Sequence, residues 1–282
     1  MALVSSEITF FTAEPLMYDS GAGFDYFGPA HLGYLACSVV LIGVLCAAYR
    51  RLPSGTAWGS PRRTMQLVIA AIPLAMLASR DVMMYLAGVF DPNWWPLHSC
   101  NICELLMLVY ALRPNRLCGE SLATMGIFGA LAALLFPSWS YCPPFTWPSV
   151  CGFTEHTLIV AFTAMVITGR DYEPSVKHIW MPLVLFGLYV PAAYAFNKAF
   201  DTNFMFLNAP PGGSPLVAVA ELFGSAGYIV PLVVVVIACW LALYALWRVL
   251  LHHVEQDGSP DCTQEIFESV NGRPNGTTAG ED

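Results

Sequence analysis

The sequence predicts an all-α fold: a polytopic membrane helix bundle of about seven transmembrane helices, N-terminus outside and C-terminus cytoplasmic. Three observations predict it. The 282 residues are 56% hydrophobic and only 11% charged, where a soluble domain carries about 25% charged residues. Apolar stretches approaching or reaching the roughly 20 residues that cross a bilayer recur along the chain. Lys and Arg collect in alternate loops, the asymmetry that marks the cytoplasmic side.

Residues 1–26 carry Glu7, Glu14, Asp19 and Asp25 and no Lys or Arg. That is the wrong sign for the start of a signal peptide, so the segment is expected to be an extracytoplasmic N-terminal extension. The spans fall at approximately 30–49, 65–89, 97–112, 121–137, 154–169, 179–198 and 226–250 within a membrane domain of 27–251. The third and fifth are short and begin with polar residues. Pro- and Gly-rich stretches at 52–61, 137–152 and 209–215 mark loops. Residues 252–282 are polar and Gly-rich near their end, and are expected to form a disordered cytoplasmic tail. Arg50, Arg51, Arg62 and Arg63 follow span one, Arg113 and Arg116 follow span three, Arg170 and Lys177 follow span five, and Arg248 ends span seven. An odd number of spans is the count this pattern requires. Trp94, Trp95, Trp139 and Trp147 then fall at the outer interface, where aromatic belts belong. The Asn275-Gly276-Thr277 sequon falls on the cytoplasmic side and is discounted. The net charge of −8 comes mainly from the two ends; the lack of a basic surface argues against nucleic acid.

Topology gathers scattered polar residues at one depth. His31 opens span one; His98, Cys100, Asn101 and Glu104 open span three; Glu155 and His156 open span five. Arg80 and Asp81 lie about two turns before the outer end of span two, Asn203 follows span six, and Glu221 precedes span seven. Polar groups at membrane depth are costly and mark functional sites. Convergence from every span predicts a shared polar pocket in the outer half of the membrane.

Phe27-Gly28-Pro29-Ala30-His31-Leu32, Pro96-Leu97-His98-Ser99-Cys100-Asn101-Ile102 and Thr202-Asn203-Phe204-Met205-Phe206-Leu207, together with the His156 helix, resemble the signature stretches of the YwaF-like integral membrane family. The resemblance spans nearly the whole chain between the N-terminal segment and the tail. It implies a multi-pass protein, with the bacterial cytoplasmic membrane as the expected location. The related animal branch is associated with cysteine-dependent phospholipid acyl transfer by one Cys and one His, which map here onto Cys100 and His156.

The residues carry a matching chemistry. Cys100 lies in the first turn of span three, where a helix N-terminus lowers a thiol pKa and offers free N–H groups to an oxyanion. His156 opens span five at the same depth and supplies a base. Glu104, one turn from Cys100, and Asp81 and Asn101 are candidate orienters. Arg80 is shaped to hold a lipid phosphate, or else simply neutralises Asp81. His98, His31 and Asn203 complete the candidate orienting and head-group set. The expected function is transfer or hydrolysis of phospholipid acyl chains by a Cys–His pair, with membrane phospholipid as partner and no cofactor. Two alternatives stand beside it. Cys100 and Cys103 form a C-x-x-C, the spacing of a thiol–disulfide oxidoreductase; the same polar pocket also suits a transporter or receptor without covalent chemistry. Cys100 as a small packed hydrophobe is the plainer option. No second tight pair accompanies the C-x-x-C, so no metal site is expected. Cys142 and Cys151, in the outer loop, are expected to form a disulfide.

Overall fold

The computed structural model of the chain describes residues 7–55, 57–224 and 227–256. These residues form helices α1 (Pro29–Arg51), α2 (Pro61–Leu86), α3 (Ser99–Leu112), α4 (Arg116–Ser121), α5 (Ile127–Leu135), α6 (Trp147–Thr168), α7 (Trp180–Phe200), α8 (Leu216–Phe223) and α9 (Ile229–Gln256). A π-helical turn, Leu122–Gly126, joins α4 and α5 into one rod. Six helices are long and apolar enough to cross a membrane; α3, with 14 residues, is shorter. Helix starts follow their local chemistry. Pro29, Pro61 and Pro148 stand in first turns, where a missing N–H costs nothing. Ser60 caps α2 by accepting from the Arg63 N–H at 3.3 Å, and Asn115 caps α4 by accepting from the Cys118 N–H at 2.9 Å.

Side-chain bonds at the helix ends fix an alternating direction. At the end where α1 begins, here the upper end, His31 of α1 donates to Leu134 O of α5, and Trp147 of α6 donates to Ser79 of α2. At the lower end Arg63 of α2 donates to Leu112 O of α3, Arg62 bonds Asp171 after α6, and Tyr244 of α9 bonds Glu120 of α4. The chain therefore passes between the two ends seven times, counting α3. The Lys- and Arg-rich loops lie at the lower end.

Helix α6 is the axis. It is apolar all round apart from Glu155, His156 and a few hydroxyls, and it packs on α1, α2, α3, α5 and α9. Almost its whole length is buried. Helix α3 has a different consequence. Fourteen residues rise only about 21 Å, against about 30 Å of hydrocarbon. Because Leu112 is tied to the lower end, the shortfall of about 9 Å falls at the upper end. The N-terminus of α3 therefore lies short of the upper end, level with the middle of α7, where Tyr189 donates to Leu97 O at 2.7 Å.

Several boundaries differ from the sequence expectation. The fifth span begins at Trp147 rather than 154, so residues 147–152 of the expected loop 137–152 are helical. Helix α8 was not anticipated; its residues pack too sparsely on the bundle for any to be buried. Helix α9 continues through Gln256, so residues 252–256 are helical rather than tail; 257–282, with Cys262 and the sequon, lie outside the described residues. The N-terminal segment is no loose extension. It forms a 3-10 turn at Glu14–Met17 with Met17 fully buried; Phe10 O accepts from Trp147 N at 2.7 Å, and Phe24 N donates to Ser140 O at 2.8 Å.

Candidate functional site

The recessed start of α3 is the floor of the site. His98 is the N-cap residue, and its backbone N–H donates to the Asn101 side chain at 3.3 Å, closing the first turn. Cys100 follows at the second helical position and is half-buried, whereas Cys103, one turn on, is fully buried. A Cβ on Gly126 of the π-helical turn would sit 3.7 Å from the Cys103 sulfur, so that thiol is packed in the core. The two cysteines are free. The two differ in burial: Cys100 is partly buried against the core and Cys103 is enclosed within it.

The His98 ring is held from α7. Asn197, completely buried, accepts from Thr202 Oγ1 and Phe204 N–H at 2.8 Å each and donates to Phe204 O at 3.0 Å. This clamp supports Met205 and Phe206 at φ values of 57° and 56°, a left-handed pair that costs a non-glycine chain about 1–3 kcal/mol per residue. The bent loop brings the Met205 N–H to 3.4 Å from His98 Nδ1 and sets the Phe204 and Phe206 rings 5.2 and 5.6 Å from the imidazole. The motif 202–207 thus has a physical meaning: it is the wall against which His98 rests.

His156 lies two and a half turns into α6, and its Nδ1 is 2.6 Å from Gly152 O. A carbonyl only accepts, so Nδ1 carries the proton and Nε2 is left as an acceptor with no side-chain or backbone partner. Trp139 stacks on the imidazole at 5.1 Å with a 21° tilt. This close layer requires a glycine: a Cβ on Gly152 would come within 2.5 Å of the Trp139 ring. Trp139 is therefore a buried wall of the site and not a member of an interfacial belt. No hydrogen bond joins Cys100 to His156 in this structure. Both lie within electrostatic reach of Arg80, as does His98, which also faces His156.

Arg80 is the centre of charge. Its Nε is 4.0 Å from Asp81 Oδ1, and Glu155, Glu14 and Glu104 also lie within electrostatic reach. Glu221, on α8, is exposed. Glu104 and Glu155 are 0% and 2% exposed, yet both Glu104 oxygens and Oε1 of Glu155 lack a hydrogen-bond partner, as does Nε of Arg80. Buried carboxyl oxygens without donors are expensive. They lie within electrostatic reach of Arg80 and Cys100.

Other expected site residues have different roles. His31 uses both ring nitrogens for protein partners: Nδ1 accepts from Phe27 N–H at 2.8 Å and Nε2 donates to Leu134 O at 2.7 Å, a staple between α1 and α5. Asn203 orders its own loop, donating to Ala209 O at 2.8 Å and accepting from Asn208 N–H at 2.9 Å. Cys142 and Cys151 do not form the expected disulfide; both are free and fully buried. Cys151 is in helix α6, where a regular backbone fixes its Cβ direction, and burial together with the nearby Glu14 carboxylate pushes the Cys142 thiol well above its usual range. The residues that sequence reasoning missed are Glu14, Trp139 and Gly152; Glu155 was noted as polar but given no part. Only a Gly one turn before a His on the same helix face hinted at the stack. Among the described residues no group of three or more His, Cys, Asp and Glu side chains is arranged to hold a metal ion.

A multi-pass helical bundle that gathers incompletely satisfied polar side chains toward one end is the class this fold and these residues define. The chain belongs to the TMEM164 family, whose model matches residues 26–244. The motifs had suggested the YwaF-like family; the match supports a membrane protein family but not that assignment. No curated protein and no solved structure matches significantly.

Proposed function

We propose that the protein is a membrane enzyme that transfers or hydrolyses phospholipid acyl chains through Cys100 and His156. The observation that carries this proposal is the state of His156. With Nδ1–H committed to Gly152 O, its Nε2 is an oriented acceptor at the end of the bundle where Cys100 is half-buried at a helix start. In the proposed cycle Nε2 takes the thiol proton as sulfur attacks the ester carbonyl. The first N–H groups of α3 and its dipole stabilise the oxyanion. Collapse forms an acyl-thioester and releases the lysophospholipid oxygen, which takes the proton back from His156. A second lysophospholipid hydroxyl, or water, then attacks the thioester with the same proton traffic in reverse. Arg80 holds the headgroup phosphate, its unpartnered Nε and open fork being suited to it.

A C-x-x-C redox cycle needs Cys103 to meet Cys100 and solvent, and the packing of Cys103 against the π-helical turn opposes that. Reconstituted protein with labelled donor and acceptor phospholipids tests the proposal. Cys100→Ala and His156→Ala are each expected to abolish acyl exchange, and Cys103→Ala to preserve it. Full exchange by Cys100→Ala ends the enzyme proposal; equal loss in Cys103→Ala favours the redox one; intact substrate flux without exchange favours transport.

A further inference from the structure

The residues ahead of the family-matched span, 8–25, cross the upper end of the bundle as a strap. Phe10 and Phe11 rest on Trp147 at 6.0 and 6.3 Å, Met17 is fully buried, and Tyr18 stacks on Tyr141 at 4.4 Å. A Cβ on Gly23 would lie 2.3 Å from Ser140 O, so the strap backbone touches the α5–α6 loop directly. Between these anchors Glu14 turns inward. It is 7% exposed, and Oε1 accepts from the Tyr141 hydroxyl at 2.6 Å. From there its carboxylate is within electrostatic reach of Arg80, Cys142 and Cys151. Burying an acid in a strap gains nothing for docking itself, since an apolar residue would dock better; its value lies in what it faces.

We propose that Glu14 is a specificity-determining residue of the upper polar cluster: the strap holds its buried carboxylate, bonded to Tyr141, at the same end of the bundle as Arg80, where it disfavours ligands whose headgroup carries net negative charge. The proposal rests on the pocket being a phospholipid site, and not on the acyl chemistry. Arg80 is the cation of the cluster, and it already faces Asp81, Glu155 and Glu104. A phosphate that arrives with its own ammonium group offsets these carboxylates. A net-anionic headgroup adds to them, and Glu14 raises that repulsion in a poorly screened site. Tyr141 is the positioning residue, since its hydroxyl sets the direction of Glu14. Burial and the Glu14 carboxylate both push the Tyr141 phenol upward, so it remains a donor.

The test uses the full chain in vesicles of equal phosphatidylglycerol and phosphatidylcholine, followed by extraction and mass spectrometry of the co-purified lipid. Glu14→Gln is expected to raise the ratio of bound phosphatidylglycerol to phosphatidylcholine several-fold. Tyr141→Phe, which keeps the ring stack on Tyr18, is expected to raise it less. Alkylation of Cys142 and Cys151, both 0% exposed, reports whether the strap stays docked. If Glu14→Gln undocks the strap, the decision passes to Tyr141→Phe by the same criterion. An unchanged ratio with protected cysteines overturns the proposal. A wild type without acyl exchange would instead overturn the enzyme proposal and leave this ratio standing.

Discussion

The two ends of the bundle both hold buried charge, and they treat it in opposite ways. At the lower end Arg62, 6% exposed, spends its guanidinium on Asp171 at 2.9 Å, Gly169 O at 2.7 Å and Leu52 O at 3.3 Å, and it lies over the Tyr49 ring. Tyr49 donates to the second Asp171 oxygen and accepts from Gln66 at 2.6 Å. Glu120, fully buried, accepts from Ser175 N–H at 3.0 Å and Tyr244 OH at 2.7 Å. At the upper end Arg80 has a single carboxylate, Asp81, at 4.0 Å, while Glu104 and Glu155 keep oxygens with no donor. A satisfied network rigidifies a fold, and a half-satisfied one is a cost that persists when something else uses it. The lower end pairs its buried carboxylates, although Gln66 Oε1 and Ser121 Oγ there also lack a donor or acceptor, and so reads as structure; the upper end, with carboxylates left unpaired, reads as function, and sequence composition alone distinguishes the two poorly.

Substitutions break or sharpen this contrast. The largest effect belongs below: Arg62→Ala leaves Asp171 buried without its cation and should cost about 3–5 kcal/mol, measured as a lower thermal midpoint of the purified protein in detergent. A loss under about 1 kcal/mol would show that the lower network is not the brace it resembles. Gly152→Ala comes next. Its methyl group cannot share space with Trp139, so overpacking of about 1–3 kcal/mol is expected. The stack on His156 should open, visible as a red-shifted Trp emission beside a loss of exchange activity. Tyr49→Phe removes one hydroxyl that serves Asp171 and Gln66 together, for about 1–3 kcal/mol. Smallest of all is Glu104→Gln above. Replacing a buried carboxylate that lacks donors is expected to leave the midpoint unchanged or raise it, while activity falls. If Glu104→Gln destabilises as much as Tyr49→Phe, the upper cluster is as structural as the lower, and the contrast fails.

Much of the site was legible before any coordinates. Pro96 through Glu104 stood out because a thiol, an imidazole, an amide and a carboxylate open an apolar run, and the short length of that run is what recesses it. Other residues were misplaced for a common reason. His31 and His98 read alike in sequence, each at the start of a span. One is a staple to Leu134 O and the other lies beside the pocket. Cys142 and Cys151 read as a loop pair until the helix boundary at Trp147 separated their settings. Glu14 read as a solvated acid in a polar leader, because nothing local shows that Met17 and Tyr18 will anchor it.

The sequence by itself determined the approximate spans and their alternating direction. Transfer of apolar residues into a membrane is a local, nearly additive energy, so it can be summed along the chain. The tertiary structure alone decided which polar groups meet: Glu14 and Glu155 with Arg80, Trp139 with His156, and Cys103 with Gly126 rather than with a redox partner. Those pairings depend on how each helix is rotated about its axis and on which loops fold back, and both are set by packing between residues far apart in the chain.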